Sequence, residues 1–330
     1  MTGLAALTAC SGGGGGNDLQ TALGRIANTG NNRSQIYYDD TAALVKLAGA
    51  SPASVKGFAP LRGFGSSGLG ELAAELPGPT SIRLLGENYS ISAGTPPDGV
   101  SLISGGQDTA KVTSDLTKLG WARKDGRLVA PSLASTNGNE LSGTLTVFMA
   151  QVSASSGSDV VFGGRGASLT QAGSPSGQTL AQDPLISALA GCLGNVVAAW
   201  IGSYSAGPQL RPAPSEVAAG LLSPARNSSV PQAVGCAAWP TATAASTYQR
   251  NLTKALANGM SASRGERFSN LLTHVSVRNV GGPDHVVSWQ ASTPGDAQLV
   301  IQLVQSVDLP GLPDCQRLAS PAVAGQPGCA

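Results

Sequence analysis

One local pattern recurs along this chain and limits its fold more than any other feature: a strand, a tight turn, a second strand, then a capped helix. Tyr89–Gly94 alternates as a strand, Thr95-Pro96-Pro97-Asp98-Gly99 supplies turn residues, and Val100–Ser104 reads as the returning strand. Gly105-Gly106-Gln107-Asp108 then opens a helix with Val112, Leu116 and Leu119 on one face and Gly120 at its end. Near the C-terminus the order repeats. Val275–Val280 is a strand, Gly281-Gly282-Pro283-Asp284 a turn, and Val286–Ala291 a strand. Thr293-Pro294-Gly295-Asp296 opens a helix carrying Leu299, Leu303 and Val307. Pro97-Asp98 aligns with Pro283-Asp284 and Val100 with Val286 at one constant offset, and a weaker third unit runs from Val234 through Trp239 into a helix over Ala244–Ala257. An internal strand–strand–helix repeat is one reading. Coincident turns in a common hairpin-then-helix arrangement are the other.

A hairpin pairs antiparallel, and the helix after it covers a sheet face. The expected fold class is therefore α+β: two lobes of antiparallel sheet with helices packed on one face. The Gly/Ser-rich stretch Ser153–Asp183 marks the boundary, giving a first lobe over 17–155 and a second over 156–330. Short helices are expected around Leu19–Ala27, from Asp39-Asp40-Thr41 to Ala48, and over Ser66–Leu76. Leu128–Ala130 and Leu141–Val152 should return as strands, with a further short strand at Asp159–Phe162. Asp183-Pro184 should start the longest helix, running to about Gly202 with an apolar stripe through Leu189, Leu193 and Trp200. Gly191, Cys192, Gly194 and Asn195 interrupt that apolar run, which is too short for a membrane span.

Charge excludes some functions. Only 12% of the 330 residues are charged and the formal net charge is +1, so no basic face for nucleic acid can be assembled. Catalytic motifs are also missing. Gly63-Phe64-Gly65-Ser66-Ser67-Gly68 fits G-x-G-x-x-G, but the Pro60-containing segment before it is not the buried strand a dinucleotide site needs. It reads as a turn entering a helix, and no cofactor is expected. His274 and His285 are the two histidines available as a base, and no G-x-S-x-G elbow accompanies them. Asp39-Asp40 beside Tyr37-Tyr38 has the polar–aromatic mix of a carbohydrate site; the preferred reading is a helix cap with tyrosines packing on the sheet. The four tryptophans, Trp121, Trp200, Trp239 and Trp289, are expected in the core.

The N-terminus carries a different kind of signal. Leu7-Thr8-Ala9-Cys10 places small residues before a cysteine, Leu4-Ala5-Ala6-Leu7 is apolar, and Ser11–Gly16 is a Gly-rich tether. This segment resembles the lipobox of bacterial lipoproteins, and the Tyr-Tyr-Asp-Asp and Leu-Gly-Trp style of later segments is similar to envelope lipoproteins of the actinobacterial type. The resemblance implies a diacylglyceryl thioether on Cys10, cleavage of residues 1–9 as a truncated signal peptide, and anchoring to the extracytoplasmic face of a cell membrane. In that compartment the remaining cysteines, Cys192, Cys236, Cys315 and Cys329, read as two disulfides. Three connectivities are open, of which Cys192–Cys236 with Cys315–Cys329 is favoured. Metal binding is the competing reading, and it lacks C-x-x-C or histidine spacing.

The functional expectation is a membrane-anchored, non-enzymatic binding or structural component of the cell envelope, with an envelope protein or polymer as partner. A small-ligand or lipid-binding lipoprotein and an exported cell-wall hydrolase are the alternatives.

Overall fold

Gln-Ile-Tyr-Tyr-Asp is rich in β-branched and aromatic side chains, and it forms β1 (Gln35–Asp39), the strand around which the computed structural model is organised. The structure describes residues 18–48, 61–132, 140–154, 157–203, 213–222, 231–294, 296–306 and 308–309. Cys10, its tether, Cys315 and Cys329 lie outside them. Before β1 come α1 (Asp18–Leu23) and α2 (Gly30–Ser34), and after it α3 (Thr41–Ala48) and α4 (Pro77–Thr80). Then follow β2 (Tyr89–Ala93), β3 (Val100–Ser104), α5 (Thr109–Lys118), β4 (Ala122–Lys124), β5 (Arg127–Val129), α6 (Glu140–Phe148), β6 (Gln151–Ser153) and β7 (Val160–Gly163). The second half contains α7 (Pro184–Leu193), β8 (Val196–Ser203), β9 (Glu216–Leu222), β10 (Gln232–Ala238) and α8 (Ala242–Asn258). It closes with β11 (Met260–Ser261), β12 (Glu266–Arg267), α9 (Phe268–Leu271), β13 (Thr273–Gly281), β14 (Val286–Ser292) and α10 (Leu299–Gln305).

The class is α+β with a large antiparallel sheet, as the hairpins require. The two expected hairpins are present where the alternation places them, β2–β3 before α5 and β13–β14 before α10, and β10, the strand of the weaker third unit, pairs with β9, which the sequence did not mark, before α8. The sheet differs from two separate lobes in one respect. Twelve strands join in the order β13-β14-β10-β9-β8-β1-β2-β3-β7-β6-β5-β4. β1 pairs with β2 on one side and β8 on the other, so the ladder crosses the expected boundary without a break. Pairing between β1 and β8 spans some 160 residues of sequence, which no local pattern encodes.

Helices also cover both faces of the second half rather than one. The centre of this region is built from small residues: Val-Val-Ala-Ala-Trp-Ile-Gly-Ser, Glu-Val-Ala-Ala-Gly-Leu-Leu and Gln-Ala-Val-Gly-Cys-Ala-Ala. Alternate positions on such strands are apolar on both sides, as in a doubly covered sheet. Val217, Ala219, Ala233 and Ala237 face α8 and α10, while Ala218, Val234 and Cys236 face α7. Gly235 leaves room for a large neighbour. A Cβ there would lie 2.1 Å from the ring of Trp289, its cross-strand partner. All four tryptophans are buried, and Trp121 donates its indole N–H to the Met149 carbonyl at 2.9 Å.

Three local expectations are corrected. The helix opened by Asp183 ends at Leu193, because Gly194 takes positive φ and the β-branched Val196 and Val197 continue as β8. Asp183 does cap it, accepting from Leu185 and Ile186 N–H at 3.1 and 3.2 Å. Glu140–Phe148 is helical, and only Gln151–Ser153 of the expected strand is extended. The Ser66–Leu76 segment is two 3-10 turns, Phe64–Ser66 and Leu69–Leu72, because Gly63, Ser67 and Gly68 all adopt positive φ.

Cys192 and Cys236 form a disulfide with Cα atoms 6.3 Å apart, clipping α7 onto β10 across 44 residues. A loop of that length corresponds to about 4 kcal/mol in the chain-entropy model. Reduction with dithiothreitol, or Cys236→Ala together with Cys192→Ala, is expected to lower unfolding stability by about 2–4 kcal/mol in urea titrations. A midpoint unchanged by reduction would show that the bridge does not constrain the unfolded chain.

Candidate functional site

Two polar constellations stand out from an otherwise apolar interior. The first lies where β1 ends. Period-two alternation puts Ile36 and Tyr38 in the core on one side and Tyr37 and Asp39 on the other. There the Gly63–Gly68 loop lies across the strand: Phe64 meets the Tyr37 ring edge-on at 5.2 Å, and the Gly65 N–H donates to Asp39 Oδ1 at 2.7 Å. Asp39 also accepts from the Ser90 hydroxyl and, at 2.7 Å, from Thr41 Oγ1. A Cβ at residue 65 would stand 2.2 Å from the Ser90 carbonyl oxygen, so only glycine permits this approach. The loop that resembles a phosphate cradle thus holds an anion of the chain itself.

Glu87 completes the cluster. Its Oε1 is 2.9 Å from Thr41 Oγ1, and its Oε2 is buried without a partner among the described residues. A threonine hydroxyl has one hydrogen. It donates to one carboxylate, so the second contact requires a protonated carboxyl donating to the Thr41 lone pair. Asp39 already has three donors and is the better anion, which makes Glu87 the acid. Burial pushes Glu87 well above its ordinary range, reinforced by the charge of Asp39. Burial also raises Asp39 to about 6, opposed by hydrogen bonds from Ser90, Thr41 and the loop backbone. Asp40, next in sequence, does what the sequence suggests: its Oδ1 accepts from Ala43 N–H at 2.7 Å and caps α3. Glu87 was not visible from the sequence, since Thr41, which ties it to Asp39, lies 46 residues upstream.

The second constellation is an open cleft of about 540 Å³ beside the β4–β5 hairpin, within the range of small-molecule sites. Asp125-Gly126 turns this hairpin with φ of 50° and 78°, the geometry of a two-residue primed turn. Arg25 closes one side. It donates to Asp159 Oδ2 at 2.7 Å, to the Gly173 carbonyl through Nε, and to Tyr89 Oη at 3.5 Å. Asp159 accepts in addition from Gly105 N–H at 2.8 Å. Arg25 and Asp159 are therefore engaged with each other. Arg127 also lines the cleft, yet its guanidinium has no hydrogen-bond or ion-pair partner among the described residues, and its Nε is buried unpaired. A buried donor left unpaired costs about 1–3 kcal/mol. Ser168, Thr170, Ser174 and Ser176 also line the cleft, the first two joined through their hydroxyls at 3.0 Å.

Neither Asp39 nor Glu87 lines this cleft. His274 lies exposed in β13, and His285 lies in the turn before β14, where its N–H donates to the Gly282 carbonyl at 3.3 Å. Among the described residues no group of three or more His, Cys, Asp or Glu is arranged to hold a metal ion. No helix among them is long and apolar enough to cross a membrane. No family model matches the chain, and neither the curated proteins nor the solved structures contain a match.

The acid cluster has a consequence for stability. Glu87, Glu216, which burial and Asp183 raise to about 7, and, below about pH 6, Asp39 retain protons in the native state at pH values where the unfolded chain has released them. Stability contributed by a raised carboxyl pKa is lost as pH rises from the unfolded value of about 4 through the folded one. Thermal melts should therefore show a falling Tm between pH 5 and pH 8. Glu87→Gln keeps a donor toward Thr41 and should flatten that fall, raising Tm more at pH 8 than at pH 5. A variant with the wild-type slope would contradict the protonated assignment.

Proposed function

We propose that this chain is a lipid-anchored binding component of a bacterial cell envelope, displayed on the extracytoplasmic face of the membrane through Cys10 and performing no chemistry on its ligand. The observation that carries the address is the Cys192–Cys236 disulfide. It links a helix to a buried strand position in a chain whose N-terminal segment resembles a lipobox. Structural bridges of this kind persist in oxidising compartments.

A binding role is favoured over hydrolysis by where the protons are. Two-carboxylate hydrolysis of a glycoside needs a protonated acid beside the scissile bond. Asp39 and Glu87 hold raised pKa values in the interior, while Asp159 in the cleft is paired with Arg25. The open, hydroxyl-lined cleft suits a polar solute or the end of a polymer better than an acyl chain, so a small-ligand role is kept and a lipid ligand is not.

The test is the fate of Cys10. Wild-type protein in host membranes should begin at Cys10 with the mass of a diacylglyceryl group and partition into the detergent phase. Cys10→Ser should leave the membrane fraction. Equal fractionation of the two proteins would remove the proposal.

A further inference from the structure

We propose that the cleft beside the β4–β5 hairpin binds a small anionic polyol: a hydroxylated carbon skeleton carrying one carboxylate or phosphate group. This rests on the reading of the chain as a binding protein but not on its address at Cys10. Strand register builds the floor. Lys124 stands directly opposite Arg127 in the β4–β5 ladder, so both project from the same face. Leu128 pairs with Val152, which brings Arg127 level with Ser153, and Ser153 in turn pairs with Val161. Arg127, Ser153 and Val161 all line the cleft.

Two cations directly opposed across a ladder repel each other. Neither Lys124 nor Arg127 forms a salt bridge among the described residues, although Asp125 lies between them in the turn. Arg25, the other cation of the cleft, is already neutralised by Asp159 at 2.7 Å. Lys124 does not itself line the cleft, but with Arg127 it outweighs the single charge of Asp125 in the turn, and the Arg127 fork has no acceptor among the described residues. An oxyanion of a carboxylate or phosphate supplies both the charge and the paired acceptors such a fork takes. Ser174 and Ser176, which also line the cleft, offer hydroxyls that match ligand hydroxyls as donors and acceptors, and the Asp159 carboxylate offers a further acceptor. Among the described residues Val161 and Leu169 are the only large apolar side chains in the wall, too few to hold an acyl chain.

Calorimetric titration of the full chain with D-glucuronate and with glycerol 3-phosphate separates the two sources of the anion, against glucose, glycerol and inorganic phosphate. One of the two acids should bind at least about tenfold more tightly than its neutral counterpart and than inorganic phosphate, the loss expected for one charge-assisted bidentate contact. Arg127→Met should weaken that acid by about tenfold or more, with a melting temperature no lower than that of wild type. Arg127→Lys, which keeps the charge and loses the fork, should fall between. Lys254→Ala, on an exposed position of α8, should bind as wild type. Binding of neither acid, equal binding of the neutral compounds, or an Arg127→Met protein that binds like wild type would each overturn the assignment. Inorganic phosphate binding as tightly as the polyol anions would overturn its hydroxyl half. None of these results bears on acylation of Cys10, which is read separately by mass.

Discussion

A carboxylate buried at the end of the central strand is the constraint on which the molecule turns. β1 is the single strand that joins the first-half ladder to the second-half ladder, and its last residue, Asp39, is fully buried. An ionised carboxylate in such a place is unstable without donors aimed at it. Here the donors come from three separate parts of the chain: the Gly65 backbone, Ser90 on β2 and Thr41 at the start of α3. Meeting the needs of one side chain therefore fixes the glycine-rich loop, the β1–β2 register and the entry of α3 together. Glu87 joins through Thr41 and brings the one proton the network lacks.

The same economy explains the low charge of the sequence. Few ionisable groups are present, and those inside serve as internal anchors: Asp39 for the loop, Asp183 for the α7 cap, Asp308 for the Ser261 and Ser263 hydroxyls. Against that background an arginine whose Nε is buried without a partner is conspicuous. Arg25 and Arg127 sit in one cleft, one consumed by structure and one left over, and that difference separates a structural group from a recognition group.

Much of the architecture was legible because it is local. The β2–β3 and β13–β14 hairpins follow from alternation and turn residues, and Asp108 caps α5 by accepting from Lys111 N–H at 3.0 Å. The continuous sheet was not legible, because joining β1 to β8 depends on residues far apart in sequence. Val196–Ser203 was misread as helix because a strand buried on both faces is apolar throughout, like a buried helix; Gly194 was the signal that separated them. Of the candidate site, the Gly63–Gly68 loop was visible as a motif but its anion was not, and Arg127 had no feature to distinguish it from any surface arginine. Both gain meaning only through neighbours supplied by tertiary structure.

One sheet without a seam should unfold as one unit. Native-state hydrogen exchange across the β1–β8 and β1–β2 ladders tests this most directly. Amides of Ile36, Tyr38, Ile91 and Ile201 should exchange only through global opening, with one shared free energy and one denaturant dependence. Separate free energies for the strands before and after residue 155, with β1 following only one group, would contradict the account.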